Sequence, residues 1–143
     1  MLIIKRNQLA IDARRQASLA RAKTEAKVAL ARHVEGLLER FTVEYPRQET
    51  LAWGSKLAAA RGVMAGGSNL ILQVEADTLG IPVATLAAKV VEKGSLYEQI
   101  VAVASALRGA SHAQIEAATS EDAIETVLAT AKQTASATIG GAV

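Results

Sequence analysis

The sequence predicts an all-α protein, a long N-terminal helix followed by a small helical bundle. Three observations carry that expectation. Half of the 143 residues are apolar, but only 3% are aromatic, so Ala, Val, Leu and Ile must supply the burial. Ala-rich stretches favour helix because Ala gives up no side-chain entropy there, and only two prolines interrupt the chain. Apolar residues also recur at helical spacing over Leu30 to Phe41, Trp53 to Met64 and Val83 to Ala104.

The first element reads as one helix from about Arg6 to Glu44. This stretch has no Pro and a single Gly at Gly36, and it would reach roughly 60 Å. Leu30, Val34, Leu37 and Phe41 form a core-facing stripe that thins backward to Leu19, Ala22 and Ala26. Residues 6–28 are therefore expected to fray or to pack on another chain through Leu9, Leu19, Ala22, Ala26 and Leu30, with Arg14 and Arg15 at the rim. Thr42, Val43 and Tyr45-Pro46 end the helix, because the residue before a proline is pushed out of the α region.

A second unit opens at Pro46. Trp53, Leu57, Ala60 and Met64 repeat at helical spacing, and the Gly-rich run to Asn69 supplies a turn. Leu70 to Leu79 reads as a short helix. Gly80-Ile81-Pro82 then places a helix-ending glycine before a proline suited to a first turn. Val83, Ala87, Val90, Gly94, Tyr97, Val101 and Ala104 line one face of the next helix, which Arg108-Gly109 is expected to close. Ser111 with Gln114, and Thr119 with Asp122, are N-cap signals for two short helices carrying Ile115 and then Ile124, Val127 and Leu128. The expected division is a basic assembly arm over 1–45, a compact domain over 46–132 anchored by Trp53, Leu57, Leu86, Val90 and Tyr97, and a mobile tail over 133–143.

Composition removes several chemistries. Without cysteine there is no disulfide, thiolate metal site or Cys nucleophile. No uncharged apolar run reaches the length of a membrane span, and the first residues place charge after the apolar run, the reverse of a signal peptide. His33 and His112 lie in different expected units with no carboxylate at ligand spacing, so they read as a helix-flank residue and a first-turn residue. No serine sits in a nucleophile elbow, and no phosphate-binding glycine pattern occurs. Glu121 and Asp122 are neighbours pointing about 100° apart, which suits capping better than acid–base catalysis. Neither catalytic residues nor a cofactor or metal site is expected.

Charge is unevenly spread. Residues 1–40 hold nine Lys/Arg against four Asp/Glu, and residues 41–143 hold seven against ten, giving +5 and −3. The basic residues wrap the first helix instead of forming one stripe, and no aromatic is interleaved, so a solvated or subunit-facing helix is favoured over a nucleic-acid contact.

The order of features from Gln48-Glu49-Thr50-Leu51-Ala52-Trp53, through Leu57 and Ala58-Ala59-Ala60, continues in Leu79-Gly80-Ile81-Pro82-Val83-Ala84-Thr85-Leu86-Ala87. Val90-Val91-Glu92-Lys93, Tyr97, Leu107-Arg108-Gly109 and Ile115-Glu116-Ala117-Ala118-Thr119 follow. This pattern, over about residues 47–130, resembles the helical domain in C-terminal parts of tailed-bacteriophage tail-fibre and tail-assembly proteins. The connection from Gly62 to Asn69 is longer than in that pattern, and the basic helix is unmatched. The resemblance implies a non-enzymatic structural or assembly component of a phage tail or baseplate, or an assembly chaperone. Its partners would be itself or other tail proteins, met in the virion or in host cytoplasm during assembly. The alternative is a small nucleic-acid-binding protein that uses the basic helix.

Overall fold

The computed structural model describes residues 1–142, which are almost wholly helical. Helix α1 spans Leu2–Thr42, α2 Arg47–Met64, α3 Leu70–Leu79, α4 Val83–Ala117 and α5 Glu121–Thr138, and a short 3-10 helix covers Gly140–Ala142. The fold is all-α, with the long N-terminal helix leading into helical packing, as the sequence predicts. The chain forms two compact units, Met1–Leu38 with the chain from Val103 onward, and Glu39–Ala102. Their boundaries fall inside α1 and α4 and cut across the segments 1–45, 46–132 and 133–143 drawn from sequence.

In the unit of residues 39–102 the two tight connections explain themselves residue by residue. The Asn69 side chain accepts a 3.0 Å hydrogen bond from the Leu72 amide and caps α3. At the other end Gly80 takes a left-handed φ of 68°, and its amide donates to the Asp77 carbonyl while the Ile81 amide reaches the Ala76 carbonyl at 3.0 Å. That pair of bonds is the Schellman closure, and Ile81 packs on the same apolar cluster as Ala76, as the motif requires. After α2, Gly67 lies so close to the chain that a Cβ there would stand 2.9 Å from the Gly62 carbonyl oxygen, so the Gly-rich run is a folded turn.

The centre of this unit is Ala60, Leu72, Ala76, Leu86 and Ala87, with Val63, Ile81, Val90 and Val91 packed around it. Leu57 and Leu86 are buried as expected of anchors, and Val90 is half-buried. Trp53 and Tyr97 are not at the centre. Both are half-buried and stack edge-to-face at 5.3 Å, with Tyr45 on Trp53 at 5.1 Å and Phe41 on Tyr97 at 6.4 Å. The large rings are displaced because fully buried Ala60, Ala76 and Ala87 bring the helices too close to admit them.

The other unit packs α1, the C-terminal part of α4 and α5. Ala26, Leu30, Val34 and Leu37 of α1 are buried, as are Ala104, Ser111 and Ile115 of α4 and Ile124, Ala131, Ala135 and Ile139 around α5. Two expectations are corrected here. Arg108-Gly109 does not close α4, which runs on to Ala117 through Ser111, so Ser111 is a buried helix-interior residue and not an N-cap. Burial of Ser111 and Ile115 on one face outweighs a local glycine cost of about 1 kcal/mol. The segment from Gln133 is not a mobile tail as far as it is described. α5 continues to Thr138, Ala135 and Ile139 are fully buried, and only Val143 lies outside the described residues.

The N-cap of α5 is Ser120, one residue later than the Thr119 signal, and its hydroxyl accepts from the Ala123 amide at 3.1 Å.

These two glycines should respond to Ala with opposite signs. Gly80→Ala forces a Cβ into left-handed backbone and should cost about 1–2 kcal/mol. Gly109→Ala, inside α4 with nothing within 4 Å of the added methyl, should stabilise by up to about 1 kcal/mol. Urea unfolding of both variants beside the parent measures the two effects.

Candidate interaction surface

The inward stripe of α1 runs in steps of three and four, half-buried at Leu19 and Ala22 and buried at Ala26, Leu30, Val34 and Leu37. Followed backward at the same steps, it meets Arg15, Asp12 and Gln8. The helix therefore loses its inward apolar face near residue 15, and the Gln8 amide donates to the Asp12 carboxylate at 3.0 Å along that line.

The expectation that only another chain could cover Leu19, Ala22, Ala26 and Leu30 is overturned. Ala26 is buried with Ile115 and Ile124, and Leu19 and Ala22 pack on the same cluster as Ala118, Val127 and Leu128. Leu30 is 0% exposed. These residues hold the chain's own helices together, and an acidic residue at Leu30 would bury an unpaired charge and test folding instead of assembly. The thin stripe suffices because α5 presents Ile124, Val127 and Leu128 to it, which a single-helix reading of residues 6–28 does not anticipate.

Part of the basic face is likewise turned inward. Lys23 Nζ donates to the Glu116 carbonyl at 2.6 Å, in the last turn of α4, which carries no basic residue of its own. Lys27 pairs with the Glu116 carboxylate, and Ser18 donates to Glu121 in the first turn of α5 at 2.5 Å. Three side chains of α1 thus pin the junction between α4 and α5. Nothing in their spacing signals this, since the partners lie about ninety or more residues away.

The two histidines fall differently. His33 Nε2 lies 3.2 Å from the Lys132 carbonyl oxygen and 3.0 Å from Ser136 Oγ, and since a carbonyl only accepts, Nε2 carries the hydrogen. His112 is inside α4, not in the first turn of a short helix, and its Nε2 is buried without a partner. Among the described residues no three His, Asp or Glu are grouped to hold a metal ion.

What stays outward is the beginning of α1. Leu2, Ile3, Ile4 and Leu9 are 77%, 75%, 72% and 69% exposed, and Ile11 is exposed too. Leu2 and Leu9 share one side of the helix, and Ile4 and Ile11 another, each pair seven residues apart. Arg14 and Arg15 are exposed just beyond. The first turn has no acidic residue, and Lys5 and Arg6 stand near the positive end of the helix dipole, where cations are unfavourable. Of the proposed interface residues, Leu9, Arg14 and Arg15 are thus on the surface, and the apolar run from Leu2 to Ile4 belongs with them. Its visible signal in the sequence is three consecutive aliphatic residues that continue no buried stripe.

No single helix is long and apolar enough to cross a membrane. Comparison with protein-family models, with curated proteins and with solved structures returns no match.

The junction gives a pH dependence. The hydrogen bond and charge of Lys27 hold the Glu116 carboxyl below its ordinary value of 4.5, with a smaller contribution from Lys23. A carboxyl lowered in the folded state contributes stability above its unfolded value, and that contribution is lost as pH falls through the lowered folded value. Thermal melts taken from neutral pH down through 4.5 and below should show a fall in Tm that is smaller in Lys27→Gln, because that variant has already lost the pair.

Proposed function

We propose that the protein is a non-enzymatic structural or assembly component of a tailed-phage tail or baseplate, acting through helix-mediated protein–protein contacts. The observation that carries the reading is the exposed aliphatic start of α1, where Leu2, Ile3, Ile4 and Leu9 are presented on a helix whose packed apolar stripe has given way to Arg15, Asp12 and Gln8. A helix end of this composition gains order when another surface buries it, at about 1.5–3 kcal/mol for each large aliphatic side chain. The tail assignment itself is supported by the resemblance of residues 47–130 to the helical domain of tail-fibre and tail-assembly proteins. In this reading α1 is the assembly element, with Arg14 and Arg15 at its rim selecting orientation while aliphatic burial supplies the energy.

Self-association or binding to a tail protein should weaken at least about tenfold in the double variant Ile3→Asp, Ile4→Asp, with the Tm of the isolated chain unchanged. Sedimentation and thermal melting measure the two quantities. Mass spectrometry of purified phage particles and of their assembly intermediates should detect the chain in one or the other. Its absence from both would contradict the tail assignment.

A further inference from the structure

The chain has four aromatic residues, one Trp, one Phe and two Tyr, and all four line a single cavity of about 250 Å³ in the unit of residues 39–102. That concentration is not what a core of scarce aromatics requires. A ring adds most stability when it is fully buried, yet Phe41, Tyr45, Trp53 and Tyr97 are all only half-buried, and the buried centre of the same unit is aliphatic. The rings are propped against one another edge-to-face, Tyr45 on Trp53, Trp53 on Tyr97 and Tyr97 on Phe41, so the wall is braced before anything enters. The space exceeds the roughly 150 Å³ of an apolar protein cavity that holds benzene.

Charge selects what fits. No Asp or Glu lines the cavity, whereas two lysines do. Lys56 is neutralised by Glu75, Nζ to Oε1 at 2.7 Å. Lys93 has no carboxylate partner among the described residues. Its Nζ donates to the Tyr45 hydroxyl oxygen at 3.2 Å and stands 5.7 Å from the centre of that ring. The Tyr45 oxygen thereby acts as acceptor, which leaves its own O–H to donate. An ammonium and a phenol hydrogen are therefore offered together at the edge of an aromatic cavity. A bound organic cation, the usual guest of an aromatic cage, would meet the uncompensated charge of Lys93.

We infer that this cavity is a binding site for a small apolar carboxylate, with a compact hydrocarbon body lying against the braced wall of Phe41, Trp53 and Tyr97 and its carboxylate at Lys93 Nζ and the Tyr45 hydroxyl. Charge-assisted hydrogen bonds of this kind are among the stronger polar contacts, and here one comes from a lysine with no competing acid. Gly94 fits the same picture, since it lines the cavity and a Cβ at that position would stand 2.8 Å from the Leu57 side chain, so α2 and α4 are held close beneath the rings.

Trp53 is the only tryptophan and stands in the wall, so its fluorescence reports occupancy directly. The full chain is titrated with cyclohexanecarboxylate, cyclohexylmethanol and cyclohexylmethylamine, three nearly equal bodies that differ in charge and do not absorb where Trp emits. The expected result is a saturable change with the carboxylate, binding at least about tenfold tighter than the alcohol and still tighter than the amine. Lys93→Gln should bring the carboxylate down to the alcohol without changing the far-ultraviolet circular dichroism, and Val90→Phe should weaken all three by occupying the space. No saturable change with the carboxylate at millimolar concentration, equal binding of carboxylate and amine, or unaltered preference in a folded Lys93→Gln would overturn the inference.

Discussion

Close approach of helices through small residues is the constraint from which the other features follow. Ala60, Ala76 and Ala87 are fully buried at the centre of one unit, and Ala26, Ala131 and Ala135 are buried in the other. An alanine contact lets two backbones come near, but it removes little apolar surface from water, at about 0.8 kcal/mol for each buried methylene-sized group. Units built this way depend on a few large aliphatic side chains that fill the remaining space, and Leu30, Leu72, Ile115 and Ile139 are the largest fully buried ones. They also depend on end chemistry, which is why the Asn69 and Ser120 caps and the Gly80 closure appear at the short connections.

The same constraint decides where the aromatic and basic residues go. Rings too wide for an alanine-lined contact are set aside, and in the unit of residues 39–102 they frame a cavity instead of filling a core. In the unit built on residues 1–38 and the chain from Val103 onward, a thin apolar seam is supplemented by polar pins, with Ser18, Lys23 and Lys27 reaching Glu121 and Glu116. Lys23 and Lys27 count as charge in the sequence but serve as ties in the fold. The beginning of α1 has neither an apolar inward face nor a side-chain tie beyond its own Gln8–Asp12 bond, and its aliphatic side chains are exposed.

Elements with a local signal were legible in the sequence. Pro46 before α2, Asn69 before α3, and Gly80 with Pro82 between α3 and α4 mark boundaries through backbone rules that need no tertiary partner. The extent of α4 was not legible, because Gly109 and Ser111 carry a stop and a start signal that is overridden when Ser111 and Ile115 are buried together. Burial of Ala135 and Ile139 in a Thr- and Ala-rich stretch is likewise a tertiary effect. The candidate surface was half legible. Leu9, Arg14 and Arg15 are on it, whereas Leu19, Ala22, Ala26 and Leu30 look like an open seam only so long as α5 is not known to cover them.

The account stands on α1 being two things in one helix, a packed strut from about residue 19 onward and an unpartnered end before residue 12. Amide hydrogen exchange of the dilute chain measures that difference directly. Amides of residues 6–12 should exchange far faster than those of residues 26–37, and should slow only when a partner or a second copy is bound. Equal, strong protection of both stretches in the dilute monomer would contradict the account, since it would mean that the start of α1 is held without any surface to cover it.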